Sequence, residues 1–179
     1  TYSGRGQVVK RRIGLNSVVQ EMLQLLGAVV PKLAAVSYSF HDDLPMIWGD
    51  VSQIRQVVMN LLTNAAESLN GAAGTITVRT GLVDAGDDYL AERSDEELAP
   101  GVYAFLAVSD TGCGMSDDVR ARVFEPFFST KGNKGTGLGL AIAWGIVDQH
   151  GGELAFDTVE GEGTTFTMQL PVNGRAEER

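Results

Sequence analysis

Four stretches of the chain have the apolar spacing or composition of helices. They cover residues 16–33, 51–69, 117–124 and 138–152. The second is the most regular, because its apolar side chains recur at intervals of three and four without interruption, and Asp50 or Ser52 can cap it. The last ends at Gly151, a residue type suited to the position just after a helix.

Alternating apolar and polar residues predict a set of short strands. The strands cover residues 36–40, 75–83, 102–110, 153–159 and 164–172. The last two are joined by the turn EGEG, which predicts a hairpin. An acidic, turn-rich segment over 84–100 is interpreted as a surface insertion. The pattern indicates an α+β fold with helices packed on one face of a mostly antiparallel sheet.

Composition narrows the possible partners. The 179 residues carry a formal net charge of −9, which argues against binding to nucleic acid because such binding needs a basic surface to neutralise phosphates. A bound polyphosphate therefore needs backbone amides, a metal ion and a few local cations. The single cysteine, Cys113, forms no internal disulfide and indicates a cytoplasmic protein. No apolar run approaches the roughly 20 residues that span a bilayer.

The helix over 51–69 also carries a polar strip. Asn60, Asn64 and Glu67 follow one another at intervals of four and three, so they share one face. Carboxamide oxygens are ligands that Mg²⁺ accepts alongside water and phosphate oxygens. The alternative is an ordinary solvent-exposed face, which accounts for most asparagine pairs.

A second candidate is DTGCGM, residues 110–115, at the end of a predicted strand. Asp110 can accept a hydrogen bond from an exocyclic amine, which adenine has and guanine replaces with a carbonyl. The two glycines allow the backbone to approach a flat ligand closely. The alternative is a plain turn after a strand, since Asp and Gly favour turns.

The third candidate is GTGLGL, residues 135–140, which opens a helix and exposes backbone N–H groups to an anion. A dinucleotide-binding turn is excluded because VFEPFFSTKGNK, with a proline and no alternation, precedes it in place of a strand. Hydroxyl and ammonium groups suited to a triphosphate precede the motif, at Ser129, Thr130, Lys131 and Lys134.

These motifs, in their order, resemble a known family. NLLTNAAES, DTGCGM, FEPFFSTK and GTGLGLAI resemble the N, first glycine, F and second glycine boxes of histidine kinase catalytic domains. These domains belong to the superfamily that includes gyrase, mismatch-repair and heat-shock chaperone ATPases. The resemblance covers about residues 16–172. It implies a Bergerat-type α/β sandwich with a mixed, mostly antiparallel sheet and a mobile ATP lid over 129–136.

The resemblance also implies ATP and Mg²⁺ as ligands and assigns roles to residues. Asn64 would coordinate Mg²⁺, Asn60 would contact phosphate or metal, and Asp110 would bind the adenine amine. Thr165 would support the adenine site, and Lys131 would join Asn60 and Asn64 in catalysis. The other implied nucleotide contacts are Gly112, Gly114, Met115, Phe127, Ser129, Thr130, Gly135, Thr136, Gly137, Leu138, Gly139 and Leu140.

The implied reaction is transfer of the ATP γ-phosphate to a histidine. Related ATPases carry a water-activating glutamate one turn before the metal-binding asparagine, whereas this chain has Asn60 there, which cannot act as a general base. The family's phosphoacceptor box is missing, since His41 and His150 both lie in contexts that predict structural roles. We therefore expect the receiving histidine on a dimerisation domain outside this sequence.

The expected organisation follows from this interpretation. Residues 1–14 are a remnant of the dimerisation helix and a linker, residues 15–173 the catalytic domain, and residues 174–179 a solvated tail. Expected partners are ATP, the dimerisation and phosphotransfer domain and a response regulator receiver domain. The isolated domain would be a monomer and the full-length protein a homodimer. Alternatives are a nucleotide-sensing module without phosphotransfer and a protein-serine kinase of the anti-sigma type.

Overall fold

The structure is a computed structural model that describes residues 9–27, 34–85, 101–126, 128 and 139–172. The helices are α1 (Leu15–Leu26), α2 (Val51–Ser68), α3 (Asp117–Arg120) and α4 (Gly139–Gln149). The strands are β1 (Lys10–Ile13), β2 (Ala34–Ser39), β3 (Ile47–Asp50), β4 (Gly74–Ala85), β5 (Gly101–Asp110), β6 (Glu153–Val159) and β7 (Gly163–Pro171). Within these ranges, no helix is long and apolar enough to cross a membrane.

Five strands form the main sheet, in the order β2-β4-β5-β7-β6. β2 pairs with β4 in parallel, and the remaining pairs are antiparallel. Side chains alternate between the two faces, and the apolar even-numbered residues in the middle of β5 and β7, such as Leu106 and Met168, belong to the hydrophobic core. The predicted mixed, mostly antiparallel sheet with helices on one face is confirmed.

Helix α2 is the central element of the core. Its apolar face packs against α1, α4 and β5. Ile54, Val57 and Leu62 on that face are fully buried, and each such side chain stabilises the fold by roughly 1.5–3 kcal/mol. The predicted extent, 51–69, agrees with Val51–Ser68 to one residue. Of the two predicted caps, Asp50 is the one used, since its carboxylate accepts the Gln53 N–H.

Two other helices are shorter than predicted. Only Asp117–Arg120 of the stretch 117–124 is helical, with Ser116 as its N-cap. The rest of that stretch turns tightly, so that Phe124 reaches the core side of the sheet. Helix α1 ends at Leu26, and residues 28–33 of the predicted helix lie outside the described residues.

Part of the segment predicted as dimerisation remnant and linker is built into this domain. Lys10–Ile13 form β1, which pairs antiparallel with β3 from Lys10 opposite Asp50 to Ile13 opposite Ile47. Ile13 is buried in the core. The partner strand is far away in the chain, so local patterning around residues 1–14 could not indicate the pairing. Residues 1–8 lie outside the described residues, as do most of the insertion, the lid and the tail.

Candidate nucleotide-binding site

Asp110 and Thr164 lie opposite each other at the end of β5 and the start of β7, on the helix side of the sheet. Both are 7% exposed. The Gly112 N–H donates to Asp110 Oδ1 over 2.9 Å, which holds the carboxyl group at the strand end. Burial raises the pKa of Asp110, while hydrogen bonds from Gly112, the Ser68 hydroxyl and the Thr164 backbone lower it. Asp110 is therefore a fixed hydrogen-bond acceptor at the position predicted for adenine recognition.

Thr165, the residue predicted to support the adenine site, lies on the opposite face. Its hydroxyl is 2.7 Å from that of Ser109, which also faces away from the helices. Thr164 is the threonine that shares a face with Asp110, because side chains alternate along β7. The sequence contained a signal for this face. Phe166 is a core residue of the strand, and the residue two positions earlier, Thr164, must share its face because side chains alternate.

The Thr164 hydroxyl belongs to a short ladder that holds the loop after Asp110. It lies 2.8 Å from the Thr158 hydroxyl, which donates to the Gly163 carbonyl. Thr158 also accepts the Met115 N–H over 2.9 Å. Because the Thr158 proton is used on Gly163, Thr164 is the donor in this pair and keeps its own acceptor capacity.

Gly112 and Gly114 are required by contacts within the protein itself. A Cβ on Gly112 would lie 2.5 Å from the Ser68 carbonyl oxygen, and one on Gly114 would run into the Val159 carbonyl. Gly114 also has a φ of 65°, in the left-handed region that favours glycine. Gly112 and Gly114 are thus closely packed against α2 and β6, and their predicted place beside a flat ligand stays a prediction. Cys113, between them, is exposed.

Asn60 connects the polar strip of α2 to the first residue of α4. Its Nδ2 donates to the Gly139 carbonyl over 2.9 Å. Since a carbonyl oxygen only accepts, this bond orients the carboxamide and leaves Oδ1 as the atom available to a cation. Asn64 lies one turn further along the strip and is half-buried. Asn60, beside the start of α4, and Asn64, on the same strip, carry hard, neutral carboxamide oxygens of the kind that Mg²⁺ accepts together with phosphate oxygens.

Apolar side chains border the same region. Met115 and Leu140 are partly buried and pack against the core. Phe124 packs edge-to-face with Phe156 and Phe166, with ring centroids 5.6 and 6.4 Å apart. Phe124 therefore anchors the turn after α3 to the sheet.

The remaining predicted site residues lie outside the described residues. They are Phe127, Ser129, Thr130, Lys131, Gly135, Thr136, Gly137 and Leu138. Their assignment to phosphate binding, and that of the lid, stays a prediction.

Both histidines have structural surroundings. His150 is buried, with Nδ1 2.8 Å from the Ile146 carbonyl and Nε2 accepting the Asp50 N–H. His41 is exposed and uses its backbone, donating to the Thr80 hydroxyl and accepting from the Asn16 side chain. Sequence reasoning predicted a structural role for His150 but did not identify its partner.

Comparison with known proteins identifies the family. The family of histidine kinase-, DNA gyrase B- and HSP90-like ATPases matches residues 49–174. The chain is 36% identical over 171 residues to the sensor kinase CckA of Brucella abortus (strain 2308), which covers 95% of this chain and 18% of that protein. It is 35% identical over 162 residues to the sensor histidine kinase ZraS of Escherichia coli (strain K12), covering 90% of this chain and 31% of that protein. The chain thus spans less than a third of either relative.

Solved structures give the same result. The mycobacterial sensor histidine kinase MprB superposes with a TM-score of 0.72 at 27% identity, covering 91% of this chain and 97% of that one. The catalytic domain of the histidine kinase ThkA superposes with a TM-score of 0.70 at 25% identity, with coverage of 91% and 97%. With the family match over more than half of its length, the chain belongs to the histidine kinase-, DNA gyrase B- and HSP90-like ATPases and has the fold of a histidine kinase catalytic domain.

Proposed function

We propose that this chain binds ATP with Mg²⁺ and is the catalytic domain of a sensor histidine kinase. The observation that carries the proposal is the arrangement around α2. Asp110 lies buried near the C-terminal end of this helix, while Asn60 and Asn64 lie on its polar strip, and Asn60 bonds the first residue of α4. ATP needs all three features: a hydrogen-bond acceptor for its adenine amine, a cation site for its phosphates and a helix N-terminus for their negative charge.

The adenine end is proposed to lie against Asp110 and Thr164. A carboxylate oxygen accepts from the exocyclic amine of adenine and repels the carbonyl oxygen that guanine presents there. The Thr164 hydroxyl, with its remaining acceptor capacity, is available to a bridging water. We therefore expect a preference for ATP over GTP.

The phosphate end is proposed to lie between the polar strip and the N-terminus of α4. Asn60 and Asn64 would hold Mg²⁺ through carboxamide oxygens, and the metal would supply neutralisation of the triphosphate charge. Ser129, Thr130 and Lys131 are proposed to add donors and positive charge.

The proposed reaction is attack of a histidine imidazole nitrogen on the γ-phosphorus. A P–N bond forms, the bond from γ-phosphorus to the bridging β,γ-oxygen breaks, and ADP leaves. The carboxamide of Asn60 is not a base, so we propose that it orients the phosphates and the metal and does not activate water. Catalysis then rests on positioning and charge neutralisation.

The receiving histidine is proposed to lie on a dimerisation domain of the full-length protein, and a response regulator to accept the phosphate from it. A structure of ThkA in complex with the response regulator TrrA shares this fold at a TM-score of 0.70 and 22% identity. We further propose a cytoplasmic domain that is monomeric in isolation and homodimeric in the full-length protein.

Radiolabelled ATP tests the proposal in two steps. The purified chain should bind ATP in calorimetry yet incorporate no stable label. A longer chain that includes the dimerisation hairpin should incorporate acid-labile phosphate on the hairpin histidine. Asn64→Ala should abolish this labelling, whereas Gln56→Ala, an exposed change on the same helix, should leave it intact.

The outcomes separate the alternatives. ATP binding without labelling of the hairpin would favour a nucleotide-sensing module. Acid-stable label on a serine would favour a protein-serine kinase. Absence of ATP binding would contradict both kinase hypotheses and leave only a module that senses another nucleotide.

A further inference from the structure

Helix α4 is tied to α2 at both of its ends. At its N-terminus, the Gly139 carbonyl accepts from Asn60 in the middle of α2. Just after its C-terminus, His150 Nε2 accepts the backbone N–H of Asp50, the N-cap of α2, over 3.1 Å. The two helices therefore run in opposite directions between two hydrogen-bonded contacts.

The two contacts have matching spacing. Asp50 and Asn60 are ten positions apart on α2, and Gly139 and His150 are eleven apart on α4. At about 1.5 Å per residue these spans are about 15 and 16.5 Å. Because both ties are made over nearly equal lengths, they fix how far α4 can slide along α2.

The imidazole of His150 has one usable tautomer. Its Nδ1 lies 2.8 Å from the Ile146 carbonyl, which only accepts, so Nδ1 carries the proton and Nε2 is the acceptor for Asp50 N–H. His150 is buried, and a Cβ on Gly49 would lie 2.7 Å from its Cδ2. The imidazole ring therefore packs directly against the backbone of Gly49, where a larger residue would not fit.

Asp50 also links these two helices to the start of β1. Its Oδ2 accepts the Val9 N–H over 3.2 Å, while Oδ1 caps α2 through Gln53. One residue thus joins β1, α2 and, through its N–H, His150.

We propose that His150 is a positioning residue for nucleotide binding: by bonding Asp50 it sets the axial position of α4, and so the place of Gly139 beside Asn60. The proposal rests on the proposed function, because Gly139 is the described end of the glycine motif assigned to phosphate. His150 lies at the opposite end of α4 from Gly139 and acts through the helix that precedes it.

Protonation breaks this contact. A proton on Nε2 turns the acceptor into a donor that faces the Asp50 N–H, and two donors cannot bond. Burial lowers the pKa of His150, and Lys10 on β1 lowers it further, while the bond to Ile146 and the charge of Asp50 raise it. The contact is therefore intact near neutral pH and is lost in acid.

The test uses three substitutions and ATP titration calorimetry on the purified chain. His150→Leu fills the space without an acceptor, so α4 loses one of its two contacts with α2 and the glycine motif is less well positioned; we expect ATP binding to weaken about tenfold. His150→Gln retains an uncharged amide oxygen as acceptor and should bind within about twofold of wild type. His41→Leu, at the exposed histidine, is the matched control and should bind like wild type.

The pH dependence of ATP affinity is the measurement that distinguishes a positioning role of His150 from a merely structural one. From pH 7.5 to 5.5 the wild type should lose ATP affinity, and His150→Gln should lose less. Circular dichroism at each pH shows that the variants are folded. A folded His150→Leu that binds ATP like wild type overturns the inference, as does a His150→Gln profile that parallels the wild type. Absence of ATP binding by the wild type itself overturns the proposed function first.

Discussion

Asp110 and Thr164 face each other across β5 and β7, with both side chains on the helix side of the sheet. Thr165, the next residue, points to the other face and meets Ser109. The adenine end of the proposed site is therefore built from a cross-strand pair, and the hydroxyl ladder through Thr158 ties that pair to the loop that carries Met115.

Asp110→Ala should weaken ATP binding and abolish the preference over GTP. The lost interaction is a hydrogen bond to a charged acceptor, so the expected loss is about 1.5–3 kcal/mol, or roughly 10- to 100-fold in affinity. Calorimetry with both nucleotides measures it. Asp157→Ala removes an exposed carboxylate from the edge strand and serves as control. Unchanged ATP affinity in Asp110→Ala would remove the adenine assignment.

Thr164→Val and Thr165→Val form a matched pair that tests the face assignment. Thr164→Val should weaken ATP binding several-fold, because it removes a hydroxyl beside Asp110 at nearly constant volume. Thr165→Val should leave binding unchanged, because its hydroxyl bonds Ser109 on the far face. The opposite ranking in equilibrium titrations would reinstate Thr165.

Gly112→Ala and Gly145→Ala should shift stability in opposite directions. The first places a Cβ against Ser68, and overpacking of this kind costs about 1–3 kcal/mol. The second places a Cβ in open space inside α4, where replacing glycine with alanine stabilises by up to about 1 kcal/mol. Urea unfolding measures both. A neutral Gly112→Ala would show that the loop is free to move away from α2.

The fold should lose stability in mildly acidic solution because the side chain of His150 titrates. Its pKa is lowered in the folded state from 6.5, mainly by burial, so below about pH 6.5 the unfolded chain binds a proton that the folded chain does not. Stability contributed by the neutral ring is thus present above 6.5 and is lost as pH falls toward the folded pKa.

Urea unfolding at pH 7.5, 6.5 and 5.5 measures this loss. The free energy of unfolding of His150→Gln should fall less over this range than that of wild type, since its side chain does not titrate. His41→Gln, which changes an exposed side chain, should follow the wild type. Equal slopes in wild type and His150→Gln would contradict the assignment to His150.

Much of the architecture was predictable from local pattern. The regular apolar spacing of 51–69 determined α2 to within one residue, and alternation located the strands of the main sheet. The order of four short motifs determined the family, because each lies within a continuous stretch of chain. Asp110 and the Asn60–Asn64 pair were identified as candidates by residue type and spacing alone.

Other features depend on residues that are distant in the chain. The pairing of β1 with β3, the bond from Asn60 to Gly139 and the bond from Asp50 to His150 join segments that share no local pattern. Position 112 requires glycine because a Cβ there would clash with Ser68 on α2. The sequence by itself determined the main helices, the strands of the main sheet and the candidate residues for nucleotide binding, because periodicity and residue chemistry are local. Only the tertiary structure decided how those elements are tied together, because a hydrogen bond or a steric contact requires knowing where both partners lie.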